Sequence, residues 1–319
     1  MSTELTSDSA GHAEAGALPV SVIVSTRDRP TSVAATVASI LGSTSAVFEL
    51  IVVDQSETDT TSESLRSACA DPRLHYVRSK FVGVSRGRNE GVRHATMESV
   101  LITDDDVTVP QGWVEHFAGA LMLHDRVGVA FCRVDAGEHD PAKGFIPDNV
   151  INRDTLVRHL AGKHRIRGIG AGMAVRRSVL LQLGGFDEQL GPGACLRSGE
   201  DRDVAIRALI KGWQVYQTND VFVVHHGFRS WEEGRLLTER DWFGLGATYV
   251  KPVRVGRPDI LPALLREVVV EGLLKPVVQL FRLRRPQGLM RLKYFAQGAL
   301  AGWRTPLDRT HLRYEQRND

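Results

Sequence analysis

Short β-branched runs alternate with stretches of helical periodicity through the first third of the chain. Val20-Ser21-Val22-Ile23-Val24 reads as a buried parallel strand. It gives way at Ser25-Thr26-Arg27-Asp28-Arg29-Pro30 to apolar positions Val33, Val37, Ile40 and Leu41, a helical spacing with proline suited to its first turn. Leu50-Ile51-Val52-Val53-Asp54 predicts a second strand, followed by a polar loop and a helix to about Ala70. Leu74-His75-Tyr76-Val77 predicts a third strand, residues 86–96 a helix, and Val100-Leu101-Ile102 a fourth strand. Such alternation predicts a parallel sheet with right-handed crossovers, whose ligands bind outside the carboxyl ends of the strands. Thr26 to Arg29, Asp54 and Asp104-Asp105-Asp106 all fall at those ends.

The second half is less regular. Gly168 to Val175 reads as a glycine-rich approach to a strand, and Val179 to Leu183 as a short helix stopped by Gly184-Gly185. After a loop from Gly191 to Gly199, Glu200-Asp201 opens a helix expected to reach Lys211. Val215 to Val224 is β-rich and runs into His225-His226. In the last part, Leu261, Leu264, Leu265, Val268, Val269, Leu273 and Val277 follow a helical spacing, with Arg282, Arg284 and Arg285 just beyond.

The three consecutive aspartates are the strongest chemical signal. Carboxylates a few ångströms apart repel, and one is driven to keep its proton unless a cation sits between them. Oxygen ligands spaced Asp-x-Asp suit Mg²⁺ or Mn²⁺, ions that commonly also hold substrate phosphates. An acidic surface turn is the plainer reading of the triplet alone.

Composition narrows the classes. The 319 residues are 42% hydrophobic and 24% charged, an ordinary folded protein with room for one large α/β domain and an appendage. A net charge of +2 gives no global field for nucleic acid. From Pro276 onward nine Lys/Arg face three Asp/Glu, so the tail is basic. Cys69, Cys132 and Cys195 are scattered and odd in number, which suits reduced thiols and a cytoplasmic setting. Residues 1–18 read as a disordered leader without an apolar core. No uncharged apolar stretch reaches the roughly 18 residues a membrane span needs.

Taken in order, the motifs resemble the inverting nucleotide-sugar glycosyltransferases of family 2, with the GT-A fold. Val24 to Pro30 resembles the family's first strand and nucleotide loop, and Asp54 its acidic residue at the end of the second strand. Gly83-Val84-Ser85-Arg86-Gly87-Arg88-Asn89-Glu90-Gly91 is similar to the family's Gly-x-Ser-x-Ala-Arg-Asn-x-Gly, with Gly87 in place of alanine. That exchange is expected to loosen the helix start by about 1 kcal/mol. Thr103 to Asp106 resembles the Asp-x-Asp metal motif, and Gly184-Gly185-Phe186-Asp187-Glu188 and Gly199-Glu200-Asp201-Arg202-Asp203 the acceptor-side motifs.

The resemblance implies an α/β fold with a GT-A-like, Rossmann-type, mostly parallel sheet flanked by helices. It places that domain at residues 19–235, with a helical, basic C-terminal extension over 236–319. It implies a nucleoside-diphosphate-sugar donor bound by Thr26, Arg27, Asp28, Arg29, Asp54, Arg88, Asn89, Asp104 and Asp105. The divalent cation would be held by Asp104, Asp106 and His225, with His226 the less favoured alternative. Gly172, Gly185, Phe186 and Asp187 would line the site of a carbohydrate or lipid-linked acceptor. Gly170-Ala171-Gly172 is open between a tight turn and a flat floor for that acceptor. Asp201 would be the catalytic base beside Glu200, crowded by Glu200 and Asp203, since neighbouring like charge makes a carboxylate a better proton acceptor.

Rival readings remain at this level. Asp104-Asp105-Asp106-Val107-Thr108-Val109 also fits the nucleophile loop of haloacid-dehalogenase-like phosphatases, with Asp104 phosphorylated. A catalytically inactive sugar-nucleotide-binding protein is another. The C-terminal amphipathic stretch is expected first to pack on the catalytic domain or form a dimer; peripheral contact with the inner face of a membrane is its alternative.

Overall fold

Alternation within the first two strands divides the interior in two. In β1 (Val20–Thr26), Val22 and Val24 point to one face and Ile23 to the other; in β2 (Phe48–Asp54), Leu50 and Val52 oppose Ile51 and Val53. Both faces are buried, as expected of parallel strands covered by helices on each side. This computed structural model describes residues 19–43, 47–274, 277–278, 281 and 290–316. The expected leader over 1–18 and the basic residues Arg282, Arg284 and Arg285 lie outside them.

One face carries α1 (Pro30–Gly42), α2 (Thr60–Ala68) and α4 (Trp113–Met122), whose Val33, Val37, Leu65, Trp113 and Phe117 fill the first core. The other carries α3 (Val84–His94), α5 (Arg177–Gln182) and α6 (Glu200–Ile210), and its core takes in Val92, Val179, Leu180 and Val204. The remaining strands are β3 (Leu74–Arg78), β4 (Ser99–Thr103), β5 (Val107–Thr108), β6 (Val127–Ala136), β7 (Gly144–Phe145), β8 (Thr155–Val157), β9 (Met173–Arg176), β10 (Gln214–His225) and β11 (Arg229–Ser230).

The main sheet runs β3-β2-β1-β4-β9-β6-β10-β5, with β8 also on β10. The quartet β3-β2-β1-β4 is parallel, as the alternating pattern predicts. Beyond it the sheet is mixed: β9 runs against both β4 and β6, while β5 and β8 run against β10. The chain reaches β9 through an irregular excursion after β6 rather than a helical crossover, so nothing forces β9 to be parallel. The GT-A-like α/β architecture expected from the motifs is present, a mostly parallel mixed sheet flanked by helices.

At Gly87 packing, not helix propensity, decides the residue. A Cβ there would lie 2.9 Å from Ser25 Cβ and 3.1 Å from Gln55 Nε2, so the glycine lets the helix approach β1.

The helical C-terminal region is part of the same body. α7 (Trp231–Arg254) starts with a capping box between Ser230 and Glu233 and crosses residue 235 without a break. Its Trp242, Leu245 and Tyr249 enter the second core, and α9 (Arg291–Arg304) packs along it. The expected amphipathic helix is α8 (Leu261–Leu265) followed by a π-helix at Arg266–Leu274. A final hairpin, β12 (Leu307–Asp308) with β13 (Arg313–Tyr314), returns to the catalytic body. No helix among the described residues is long and apolar enough to cross a membrane.

Candidate functional site

Strand register assembles the acidic centre. β1 and β2 end level, Thr26 beside Asp54, and β4 ends at Thr103 beside Val24, two residues short of them, so the aspartate triplet leaves the sheet at its carboxyl edge. The chain then turns at once into β5, where Val107 pairs with His225 at the end of β10. That pairing delivers the imidazole to the aspartates. Ligand atoms of Asp104, Asp106 and His225 lie within 4.8 Å of one another.

His225 Nδ1 sits 2.9 Å from the Pro147 carbonyl, which can only accept, so Nδ1 carries a hydrogen and Nε2 faces Asp106 Oδ1 at 3.0 Å. Burial disfavours the imidazolium, but the hydrogen bond and charge of Asp106, with Asp104 behind, more than offset it and raise the His225 pKa. Asp106 moves the other way: burial opposes its ionisation, yet His225 and Arg29 hold its pKa below the usual range. His226 turns aside to Thr108, 2.9 Å away, and is exposed.

Two carboxylates and an imidazole nitrogen suit Mn²⁺ or Mg²⁺. Gly227 lets the two ligands converge: a Cβ there would fall 2.7 Å from Asp106 Oδ2 and 2.8 Å from His225 Nε2. The residues therefore fit a divalent cation. Arg29 Nη1 meanwhile bridges Asp105 Oδ1 and Asp106 Oδ2, both at 2.9 Å, and neutralises part of the charge.

The second acidic pair is joined to the first by one side chain. Arg88, buried on α3, places Nη2 3.0 Å from Asp104 Oδ1 and Nη1 3.0 Å from Glu200 Oε1. Gly170 makes room for it, since a Cβ there would collide with the guanidinium. Burial, and next the charge of Asp201, push the Glu200 carboxyl up to about 7 against the pull of Arg88. Asp201 is less buried, and its Oδ1 accepts from the Arg202 amide. Among the residues expected to act on the reacting groups, the structure thus brings together Asp104, Asp106, His225, Glu200 and Asp201. Asp203 does not crowd Asp201; it is buried against Arg207 and Lys251.

Several expected contacts are spent internally. Thr26 donates to Asp105 Oδ2 at 2.6 Å, and Asp105 is buried, its pKa raised by burial and by its two acidic neighbours. Asp54 is fully buried and accepts from Ser56 and Tyr76, which organises its loop instead of reaching a base. Asn89 fastens α3 to the loop at Phe186 and Glu188 through three hydrogen bonds. Arg27, Asp28 and Arg29 stay partly or largely open to solvent at the end of β1.

The acceptor expectations need the same correction. Phe186 and Asp187 are fully buried, Asp187 held by Lys251 and the Tyr314 amide. A Cβ on Gly185 would meet Asn89 Oδ1 at 2.6 Å, and one on Gly172 Cys132 Sγ at 2.6 Å. Gly170–Gly172 is thus a buried 3₁₀ turn that admits neighbouring side chains, not an acceptor floor. These buried residues position the wall of the site without facing it.

Two further groups near the site were not among the expected site residues. Asp241 on α7 accepts from Ser198, just ahead of Glu200, and Glu267 of the π-helix pairs with Arg202 at 2.8 Å. Both come from a remote segment, and no spacing links them to Asp201. The phosphatase reading is not met either: Asp104 follows the fourth strand and shares its carboxylate with Arg88.

Known proteins share this fold. The chain is 25% identical over 265 residues to the pre-mycofactocin glycosyltransferase of Mycobacterium tuberculosis, in strains CDC 1551 and H37Rv, an alignment covering 75% of this chain. It spans about half the length of these curated relatives, 48%. In fold it is similar to the mannosyltransferase PcManGT from Pyrobaculum calidifontis, solved with GDP-Man and Mn²⁺, at TM-score 0.58 and 20% identity over 89% of this chain and 87% of that one. S. aureus TarS 1-349 superposes at TM-score 0.56 with 15% identity, covering 88% and 81%. The family model for glycosyl transferase family 2 matches residues 21–184, just over half of the sequence. With the aspartates, His225 and the Glu200-Asp201 pair arranged at the carboxyl edge of this sheet, the chain belongs to glycosyl transferase family 2.

Proposed function

We infer that the protein transfers a hexose-type sugar from a nucleoside diphosphate to an acceptor hydroxyl with inversion, as a step in polysaccharide or glycoconjugate synthesis. One observation carries this reading: Arg88 spans Asp104 and Glu200, which ties the cation ligands to the residue beside the candidate base Asp201. Asp104, Asp106 and His225 would hold Mg²⁺ or Mn²⁺, which when bound supplies positive charge to the departing diphosphate. Arg29, partly exposed beside them, adds charge on the same side.

Asp201 takes the proton of the acceptor hydroxyl as its oxygen bonds to the anomeric carbon. The bond from that carbon to the diphosphate oxygen breaks on the opposite face, and the nucleoside diphosphate leaves. A single displacement inverts the centre and needs no covalent nucleophile. Arg88 holds Glu200 in place behind Asp201, and the ring of Phe186 lies 5.7 Å from the guanidinium carbon, excluding water from it.

Incubation with a panel of sugar nucleotides, with and without Mn²⁺, is expected to release nucleoside diphosphate in a metal-dependent way once a carbohydrate or lipid-linked acceptor is supplied. Asp201→Asn is expected to lower turnover roughly 10²–10⁴-fold while donor binding, read by thermal shift, persists. Full turnover in Asp201→Asn would overturn the assignment of the base.

A further inference from the structure

We propose that Glu267, on the π-helix, is a positioning residue for the transfer: it holds the Arg202 guanidinium away from the Asp201 carboxylate and so keeps that carboxylate a competent proton acceptor. The inference deepens the proposed reaction and rests on Asp201 as its base.

Asp201 and Arg202 are consecutive in the first turn of α6. A free guanidinium beside a carboxylate favours the ionised form and makes it a poorer acceptor of a proton. Arg202 is not free. Its Nη1 lies 2.8 Å from Glu267 Oε1, and the two side chains are only 18% and 12% exposed. Tyr249 of α7, itself buried, closes the compartment around the guanidinium. Burial opposes the ionisation of Glu267, yet the charge of Arg202, then of Lys163 and Arg167, more than offsets it and holds its pKa below the usual range. The pair is therefore two full charges that cancel one another inside the protein.

That cancellation matters because the other charges around Asp201 are already assigned. Among the described residues, Glu200 shares its helix, Arg88 acts on it from α3, Asp241 from α7 and Lys163 from the 3₁₀ turn at Leu160–Arg165. Glu200 and Asp241 are acidic and make Asp201 the better base. Arg88 is spent on Asp104 and Glu200, 3.0 Å from each. Lys163 is buried, and burial, with Arg202 adding to it, pushes its pKa down to about 7, so at higher pH it is neutral. Arg202 is left as the cation whose charge the base escapes only through a partner, and Glu267 is that partner. The backbone points the same way. Glu267 is the second residue of the π-helical run at Arg266–Leu274, and such turns are rare and often found at functional sites.

Titration of the Asp201 carboxyl by ¹³C NMR in the metal-free full chain tests this without any turnover. Glu267→Gln is expected to lower the Asp201 pKa by about one pH unit. Glu267→Asp should stay near the wild-type value, and adding Arg202→Met to Glu267→Gln should restore it. Glu267→Ala serves in place of Glu267→Gln if the latter does not fold. Turnover of the same variants is read as nucleoside diphosphate released, with Mn²⁺, from the sugar nucleotide that wild type uses. In Glu267→Gln kcat is expected to fall roughly tenfold with the acceptor KM unchanged, and to recover in the double variant. A variant that melts lower but keeps the wild-type Asp201 pKa has lost a structural contact only, and overturns the proposal. So does a double variant in which neither pKa nor kcat recovers. A pKa that shifts as expected while Asp201→Asn keeps full turnover overturns instead the assignment of the base, and with it the role of Glu267 in transfer.

Discussion

At the scale of the residue, the imidazole of His225 ties metal binding to pH. Its pKa is raised above the usual 6.5 by Asp106 and Asp104 once the cost of burial is offset, and Nε2 must be deprotonated to become a ligand. Mn²⁺ affinity is therefore expected to fall as pH drops below that raised value, by up to roughly tenfold per pH unit. Titration of bound Mn²⁺ by electron paramagnetic resonance at pH 6 and pH 8 checks this, and Asp106→Ala should abolish the binding at both. Lys163 titrates in the opposite sense. Burial, with Arg202 adding to it, pushes its ammonium down to about 7 from 10.5, and the Ile166 carbonyl is its hydrogen-bond acceptor. Between those values the folded chain binds fewer protons than the unfolded one, so this residue's contribution to stability improves as pH rises. Below pH 7 the ammonium is buried at full cost. Lys163→Met is expected to raise the free energy of unfolding more at pH 6 than at pH 9, by about 1–4 kcal/mol at the lower pH, as measured by chemical denaturation.

At the scale of the element, α3 shows how packing overrides intrinsic preference. Alanine in place of Gly87 would gain about 1 kcal/mol of helix propensity. The added Cβ, however, would press on Ser25 of β1 at 2.9 Å, and overpacking of this kind costs about 1–3 kcal/mol. Gly87→Ala is expected to lower stability on balance, by urea denaturation, despite the better helix former. The same helix carries Arg88 and Asn89, so its distance from β1 also sets the reach between Asp104 and Glu200. α6 makes a complementary point. Gly199, at φ +97°, ends the preceding loop, and Glu200, Asp201 and Asp203 share the first turn, where the helix dipole favours negative charge. Of the three, Asp203 turns inward, Glu200 meets Arg88 and Asp201 remains the more open.

Across the whole molecule, the C-terminal region is the buttress of the site. Lys251 of α7 lies buried between Asp187 and Asp203, and Tyr314 of the final hairpin donates its amide to Asp187 and its hydroxyl to the Ala247 carbonyl. Arg313 donates to the Gly184 carbonyl. The loop expected to meet the acceptor is thus gripped from behind by residues that come much later in the chain. Removing one partner of a buried ion cluster leaves charge uncompensated, a loss of about 3–5 kcal/mol. Lys251→Met is expected to show a loss of that size in chemical denaturation, and Tyr314→Phe, which keeps the amide contact, a much smaller one.

The parallel quartet and the residues at its carboxyl ends were legible because strand alternation, helical spacing and polar strand termini are local patterns. So were the aspartate triplet and the Glu200-Asp201 pair, which declare themselves by density of charge. The antiparallel β9 and the β5–β10 pairing that brings His225 to Asp106 were not legible, since each depends on segments far apart in sequence. The roles of Asp54, Asn89, Asp105 and Asp187 were misread for a related reason: a polar residue in a motif looks the same whether it faces a ligand or a buried neighbour. The sequence by itself determined the sheet's parallel half, the carboxyl-edge location of the site and the charge it must neutralise. The tertiary structure alone decided which carboxylates remain open, that Arg88 joins the two acidic pairs, and that the C-terminal hairpin secures the wall, because burial and partnership belong to the folded chain.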